Sequence, residues 1–329
     1  MSRERQVRVT KAFIRGVAVS FLVGGMAAIP HSAEAQTVAA VPDQTLAESP
    51  VQQAATAALM EGMREMDAEG GAVVILDVAT GQIMALASAG RADGSAAVSW
   101  HRAINNVQEV GGVMAIFAIA QALDEGLITE ATQIETPPTL SVAGFTFREA
   151  RPRAATMTPA EIFTYASYVG SVQIGRMIGA ERQQEFLDRL GLFEPHPLVE
   201  QYATHIDPVR PSRWGELSAM TVAAGHGLTV SPLQIAEAYA SLVNGGTRVH
   251  AGFQPDHGTG ERIISEETSA FVRAMLRDSV LTGTASLADV PGYSVGGVSG
   301  TSDLRSASGE FDQERYVATF AAVFPSDAP

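Results

Sequence analysis

The chain has 329 residues, of which 46% are hydrophobic and 18% are charged. This apolar content, without a long polar tract, indicates a globular protein with one large domain or two ordinary ones and argues against a disordered chain. The 22 Lys and Arg residues stand against 36 Asp and Glu residues, which gives a formal charge of −14. Such an acidic balance argues against a nucleic-acid partner, because phosphate binding needs a basic face.

Two residue counts exclude further kinds of chemistry. The chain has no cysteine, so it has no disulfide framework, no thiolate metal site and no cysteine nucleophile. Lysine occurs once, at Lys11, and arginine is a poor general base because it stays protonated. The seven histidines lack the HExxH spacing of a zinc helix. The sequence therefore predicts no metal ion and no organic cofactor, and it nearly excludes lysine-based catalysis.

The first 35 residues are typical of an export signal. Five basic residues precede an apolar stretch over 16–29, which is shorter than the ~20 residues that a membrane-spanning helix needs. Ala33 and Ala35 then form a small-x-small cleavage pattern. We expect cleavage after Ala35 and a periplasmic protein. The alternative is an uncleaved segment that tethers the chain to the inner membrane.

Residues 36–48 have the composition of a polar linker, and residues 49–329 that of the folded domain. Ser49 and Pro50 predict a helix start, because serine suits the N-cap and proline the first turn. The apolar stripe of this helix is predicted to be Val51, Ala55, Leu59, Met63 and Met66. The pattern then predicts a hairpin of 72–78 and 82–88, helices over 112–124, 159–178, 181–190, 232–243 and 265–281, and strands over 293–299 and 316–324. A hairpin, many helices and final strands indicate an α+β domain whose first strands meet its last ones.

Several long segments carry a resemblance to a known family. Residues 71–88 (GAVVILDVATGQIMALAS) resemble the opening hairpin of a penicillin-binding transpeptidase domain, and residues 225–246 resemble its central helix and the glycine turn after it. Residues 105–129 are similar to the nucleophile helix of the family, and residues 158–191 to the helix pair that follows. The resemblance covers residues 45–329 and is to the class B, septum-type branch. It implies a penicillin-binding/β-lactamase-like fold of the α+β class, with an antiparallel sheet and an α-helical subdomain.

The family has three catalytic motifs, Ser-x-x-Lys, Ser-x-Asn and Lys-Thr-Gly. Serine and lysine three residues apart share one helix face, so a neutral lysine can take the serine proton as the serine attacks a carbonyl. In the family, the second motif helps to relay the proton and positions the substrate, and the third presents a cation to the substrate carboxylate. In this chain the matching positions are Gly112 and Ala115 in the first motif, Ala166 and Tyr168 in the second, and Val298, Ser299 and Gly300 in the third.

These departures from the family motifs predict a loss of catalysis. The nucleophile, the base, the relay hydroxyl and the carboxylate-binding cation are all replaced. In a serine protease, removing the nucleophile alone lowers turnover by about 10⁶. The sequence therefore predicts a transpeptidase homologue without an intact catalytic residue, which binds or scaffolds proteins of cell-wall synthesis or cell division.

Four residues near the expected cleft have alternative interpretations. Ser167 and Ser299 are candidate replacement nucleophiles, although neither has a base beside it in the sequence. Tyr168 is interpreted as a bulky residue that fills the emptied cleft rather than as an acid. His226 is interpreted as a structural residue between two glycines. The predicted cleft-lining residues are Ser167, Ser299, Gly300 and Thr301.

Three functions stay open on the sequence alone: a binding protein, an active D,D-transpeptidase or β-lactam-reactive serine enzyme with unrecognised residues, and a non-functional gene fragment. An edge strand carrying residues 299–301 would pair with an extended peptide through backbone hydrogen bonds. Affinity for a peptidoglycan stem peptide or a non-covalent β-lactam is expected to be low, because the motif cations are replaced and the chain is acidic. A protein partner is therefore the preferred interpretation.

At both ends of the matched region, the relatives have segments for which we find no counterpart in this sequence. Class B relatives carry a large module between their anchor and the transpeptidase domain, where this chain has the linker 36–48. Residues 320–329 resemble the end of a family strand, after which the relatives continue with another strand and a helix. We therefore expect a domain without this last strand and helix. Its final strand would lack one sheet neighbour, which leaves an exposed edge or accepts a strand from a partner.

Overall fold

The computed structural model describes residues 19–24, 44–92, 95–99, 101–202, 207–256, 258, 260–305 and 311–329. The cleavage positions Ala33 and Ala35 and the linker residues 36–43 lie outside the described residues, so export and cleavage remain predictions. The end of the expected linker differs from the prediction, because Gln44–Glu48 form a short helix, α1.

Six strands form one antiparallel sheet in the described part of the chain. They are β1 (Val19–Gly24), β2 (Gly70–Leu76), β3 (Ile83–Ala92), β4 (Ser95–Ser99), β9 (Gly296–Arg305) and β10 (Phe311–Val323). Their spatial order is β4-β3-β2-β1-β10-β9. The first and the last strands of the domain belong to one sheet, as predicted, but β1 lies between β2 and β10. Strand β1 comes from the segment predicted to be the export signal.

Strand β1 is hydrogen-bonded to a neighbour on each side. Ser20 lies opposite Val73 of β2 and Phe320 of β10. Strand β10 therefore has two partners, β1 and β9. The expectation that the final strand has a free edge is wrong for the described residues, because an N-terminal segment occupies the place beside it.

The helices lie mainly between β4 and β9. Besides α1, the described ones are α2 (Pro50–Met66), α3 (His101–Asn105), α4 (Ala115–Asp124), α5 (Pro159–Thr164), α6 (Tyr168–Ile178), α7 (Ala180–Arg189), α8 (Pro197–Tyr202), α9 (Glu216–Ala223), α10 (Pro232–Val243) and α11 (Glu266–Thr282). Two short sheets accompany them, β5 (Ile134–Glu135) with β8 (Thr156–Met157) and β6 (Thr139–Val142) with β7 (Phe145–Arg148). None of the described helices has both the length and the apolar character that crossing a membrane requires. The predicted α+β class with a helical subdomain is confirmed.

The main sheet is covered on both faces. On one face, Leu59 and Met63 of α2 are buried with Val73 of β2. On the other face, Ala72 and Val74 join the main core together with residues of α4, α10 and α11. Successive residues of a strand point to opposite faces, so β2 contributes to both cores.

The helix predicted to begin after Ser49 is confirmed, and the Ser49 hydroxyl accepts a hydrogen bond from the Gln52 N–H at 3.0 Å. Within the predicted stripe, however, Val51 is 37% exposed. Gln52 faces the sheet instead, where its amide exchanges hydrogen bonds of 2.8 and 3.2 Å with the backbone of Leu86. Apolar periodicity could not reveal this residue, because the contact with the sheet is made by a polar side chain.

The single helix predicted over 159–178 is divided into α5 and α6. The break lies at Ala166, whose φ of +52° is in the left-handed region that non-glycine residues seldom adopt. Ser167 then begins the new helix, since its hydroxyl accepts a hydrogen bond from the Gly170 N–H at 3.1 Å. The second-motif segment therefore lies at a helix junction.

The buried carboxylate of Glu237 connects α10 to the segment before α8 and to the segment that follows α10. It lies 2.7 Å from the guanidinium of Arg248 and 3.0 Å from Nε2 of His196. It also accepts a hydrogen bond from the Ala251 N–H at 2.8 Å. Burial by itself would raise the pKa of this carboxyl, but the hydrogen bonds and charges of the three partners outweigh burial and lower the pKa.

We expect Glu237→Gln to lower the free energy of unfolding by about 3 kcal/mol, because Arg248, only 10% exposed, would lose its ion-pair partner. Chemical denaturation at pH 7 measures this loss. The pKa of Glu237 is lower in the folded protein than in the unfolded chain. The contribution of the Glu237 carboxylate to the free energy of unfolding is therefore complete above the unfolded pKa of about 4.3, and it is lost as the pH falls through the folded pKa. The control is Glu216→Gln in an exposed pair with Arg176, which should cost less than about 1 kcal/mol. Equal losses in the two variants would contradict this interpretation.

Candidate functional site

The first and third motif positions lie in backbone contact. The nucleophile-helix segment begins with a 3₁₀ turn, Gly111–Met114, ahead of α4. A Cβ atom added to Gly112 would lie 3.5 Å from the carbonyl oxygen of Ser299, and one added to Gly300 would lie 3.0 Å from the Gly112 nitrogen. Residues of the two motifs are therefore neighbours, as the resemblance implies.

Two glycines allow a third segment to approach the same point. Gly111 has a φ of +61° and lies so close to β9 that a Cβ would overlap the backbone of Thr301. Gly225 has a φ of +92°, and a Cβ there would overlap the backbone of Gly111. The turn that contains His226 is thereby held against the start of the nucleophile-helix segment.

The side chain of Glu109 joins these segments. Its Oε1 accepts a hydrogen bond from the Gly227 N–H at 3.0 Å, and its Oε2 lies 3.2 Å from Nδ1 of His226. Its backbone carbonyl accepts a hydrogen bond of 2.5 Å from the hydroxyl of Ser302 on β9. The Glu109 side chain is only 5% exposed. Sequence reasoning missed this residue. The available signal was a single acidic residue ahead of the long apolar run 110–120.

Tyr168, at the last position of the second motif, completes the cluster. Its ring lies edge-on to the ring of His226, with 5.8 Å between the centroids. Burial raises the pKa of the Tyr168 phenol, and the negative charge of Glu109 raises it further. Tyr168 is therefore a neutral phenol at physiological pH. The Nδ1 contact of His226 with Glu109 agrees with a structural role for this histidine.

Ser167 has a carboxylate beside it that the sequence did not reveal. Its hydroxyl donates a hydrogen bond to Oε2 of Glu149 at 2.7 Å, while it accepts the N–H of Gly170. Glu149 also accepts the N–H of Val169 at 3.2 Å. Ser167 is 3% exposed, so its hydroxyl is shielded and engaged in capping α6. No base stands beside Ser167 in the sequence, but the fold brings Glu149 to its hydroxyl, in the geometry of a helix cap.

The remaining motif positions carry no paired acid or base. Val298 is 1% exposed and belongs to the main apolar core, and Ala115 is buried at the start of α4. Ser299 is half-buried on β9. No hydrogen bond described in the structure joins its hydroxyl to a histidine or a carboxylate. Thr301 is exposed. Within the described ranges, no group of three His, Asp or Glu side chains could hold a metal ion.

Comparison with known proteins identifies the family. The profile of the penicillin binding protein transpeptidase domain matches residues 71–329, and the chain belongs to this family. The probable peptidoglycan D,D-transpeptidase FtsI of Caulobacter vibrioides is 30% identical over 296 residues, which cover 85% of this chain and 49% of the relative. The probable peptidoglycan D,D-transpeptidase PenA of Neisseria gonorrhoeae is 28% identical over 282 residues, which cover 80% of this chain and 46% of the relative. The chain thus spans about half the length of these curated relatives.

Solved structures confirm the fold. The transpeptidase domain of penicillin-binding protein 3 from Burkholderia pseudomallei superposes with a TM-score of 0.69 at 24% identity, covering 85% of this chain and 86% of that one. Penicillin-binding protein 3 from Mycobacterium tuberculosis, solved with ampicillin, gives a TM-score of 0.73 at 23% identity, covering 84% of this chain and 68% of that one. The fold is the transpeptidase fold that the sequence resemblance implied.

The cluster around Glu109 predicts a measurable pKa shift. We expect Glu109→Gln to lower the pKa of Tyr168 toward its ordinary value of 10, because the substitution removes the negative charge that disfavours the phenolate. The difference in phenolate absorbance between each protein and its Tyr168→Phe variant isolates this one phenol during a pH titration. The pKa of Tyr168 is higher in the folded protein than in the unfolded chain. The neutral phenol therefore contributes to the free energy of unfolding below pH ~10, and this contribution is lost as the pH rises through the folded pKa.

The matched control for this titration is Glu149→Gln. Glu149 lies 3.4 Å from the backbone nitrogen of Tyr168, but its charge is not among the causes of the raised Tyr168 pKa. The control should leave the phenol titration nearly unchanged. An unchanged pKa in Glu109→Gln would contradict the described cluster.

Proposed function

We propose that the chain is a catalytically inactive member of the penicillin-binding transpeptidase family, which acts by binding other proteins of peptidoglycan synthesis or cell division. The observation that carries the proposal is the chemistry of the first motif. Gly112 and Ala115 occupy the positions of the nucleophile and the base, and neither has a group that can attack a carbonyl or take a proton. The predicted export signal supports a periplasmic role.

The surroundings of the cleft support the loss of acylation. Acyl transfer by this mechanism needs a hydroxyl with a base in hydrogen-bond reach. Ser167 has a carboxylate partner, but its hydroxyl is buried and caps α6. Ser299 lies near Gly112, without a described hydrogen bond to a histidine or carboxylate. Neither of these two hydroxyls therefore combines an accessible position with a base in hydrogen-bond reach.

Retention of the scaffold supports a binding role. Strand β9 is the last strand of the main sheet in the described part of the chain, and it carries Ser299, Gly300 and Thr301. An extended segment of a partner can add to such an edge through backbone hydrogen bonds. Val298 in place of the family lysine and the formal charge of −14 disfavour a peptide carboxylate. A protein segment is therefore the preferred ligand over a stem peptide.

One contact favours a second candidate function, a serine enzyme with a rewired nucleophile. The Ser167 hydroxyl lies 2.7 Å from a Glu149 oxygen, within the distance expected between a nucleophile and its base. Such an enzyme would need α6 to move so that this hydroxyl is uncovered. A β-lactam that acylates the chain would reveal it.

We expect no covalent adduct when the folded chain is incubated with excess penicillin, because neither the first-motif hydroxyl nor its base is present. The measurement is intact mass, with and without penicillin, on a sample that first shows a cooperative thermal transition. A transpeptidase domain with all three motifs intact is the positive control. The mass of the untreated protein after export also tests cleavage after Ala35.

Two outcomes would contradict this proposal in different ways. A stable mass increase of one penicillin, abolished by Ser167→Ala or by Ser299→Ala, would establish an enzyme and identify its nucleophile. A chain without a cooperative unfolding transition would instead support the third interpretation, a non-functional fragment.

A further inference from the structure

The place that β1 occupies has the properties of a strand-binding site. Strands β2 and β10 both run antiparallel to β1 and therefore parallel to each other. Residues 70–74 of β2 and 316–320 of β10 pair with it, and we call the space between these two ranges the strand slot. Neighbouring strands lie about 4.8 Å apart, so without β1 the walls of the slot would stand about 10 Å apart with unpaired backbone groups.

The walls of the strand slot are held by other elements. Helix α2 packs on β2 and β3, α11 packs on β9, and α10 contacts both walls. Direct pairing of β2 with β10 would need a movement of about 5 Å and a new parallel ladder. Loss of β1 would therefore leave an open slot with two hydrogen-bonding edges rather than a closed five-stranded sheet.

The strand slot requires an occupant that is apolar on both faces. Ala72 and Val74 of one wall belong to the main core, whereas Val73 belongs to the core under α2. Val317 of the other wall also lies in the main core. A strand covered on both faces is typically a continuous apolar run, and residues 19–24 read VSFLVG, without a charge.

The space between the walls continues past the end of β1. Val19 is the first residue of β1 and lies opposite Val74. Beyond this pair, Leu76, Val323 and Tyr239 help to line a cavity of about 60 Å³.

We propose that the strand slot is an exchangeable strand-binding site whose resident occupant is the chain's own Val19–Gly24 segment. This segment lies before the predicted cleavage point after Ala35. It is either a covalent part of the sheet or, once cut, a removable ligand. After the cut, the slot binds the same segment of a second molecule by the same backbone pairing. This proposal concerns the opposite side of β10 from β9 and stands whether or not the cleft reacts with penicillin.

The first test uses the absence of cysteine from the full chain. Two double variants place cysteines at opposed register positions, Ser20→Cys with Val73→Cys and Phe21→Cys with Ala72→Cys. In an antiparallel ladder, hydrogen-bonded and non-hydrogen-bonded residue pairs alternate, so one of these two successive pairs is non-hydrogen-bonded. The Cβ atoms of such a pair are close to the separation found in a disulfide. The matched control, Ser20→Cys with Ala72→Cys, is offset by one residue and so combines opposite faces of the sheet. We expect at least one opposed pair to oxidise about tenfold faster than the control, within one molecule.

The second test measures exchange. A protease site is placed between residues 36 and 43 of the full chain, and the folded protein is cut there. We expect the N-terminal fragment to stay bound. When the cut protein is mixed with an isotope-labelled cut sample, native mass spectrometry should detect complexes of mixed mass. A Phe21→Pro fragment should dissociate sooner, because proline removes a ladder N–H.

Three results would overturn the proposal. Equal oxidation of the opposed and offset cysteine pairs would show that β1 has no fixed register in the slot. Immediate loss of the fragment with an unchanged thermal unfolding transition would show that the sheet does not need this strand. A fragment that stays bound without any mixed complexes would show a permanent strand instead of an exchangeable one.

Discussion

The buried Glu109 makes the contacts on which the packing of the three motif segments depends. It binds the turn at His226 and Gly227, and its backbone carbonyl binds Ser302 of β9. The ring of His226 in turn contacts Tyr168. A buried charge that loses its partners is strongly destabilising, so these segments, distant in sequence, are held together. The three motif segments are therefore held together by the contacts of Glu109 and His226.

The residues at three of the matched motif positions fit the apolar packing around them. Gly112, Ala115 and Val298 carry no side chain that needs a polar partner. Val298 is 1% exposed within the apolar core, where a lysine would need a compensating charge. Gly112 and Ala115 likewise bring no polar side chain that must be satisfied. None of these three residues leaves a buried polar side chain unpaired, which agrees with the proposal that the protein acts by binding rather than by acyl transfer.

Sequence reasoning predicted the family, the α+β class and most helices, because apolar periodicity and caps such as Ser49 are local signals. It missed Gln52, Glu109 and Glu149, because each acts through partners that are distant in the chain. The partner of Gln52 is 34 residues away, that of Glu109 is 118 residues away, and those of Glu149 are 18 and 20 residues away. It also predicted α5 and α6 as one helix, because no local sequence signal indicates the left-handed backbone conformation of Ala166. The role of Val19–Gly24 was hidden for another reason. An apolar run serves equally well as an export signal or as a central strand, and the strand is recognised only from its pairing with β2 and β10.

The central proposal is that this chain keeps the transpeptidase fold without the acyl-transfer chemistry of the family. Release of D-alanine from a peptide ending in D-Ala-D-Ala tests this claim most directly, because it follows turnover rather than labelling. The full chain, shown to be folded, should release no more D-alanine than the buffer does at any enzyme concentration. Release that rises in proportion to the amount of chain, and that disappears in Ser299→Ala or Ser167→Ala, would contradict it.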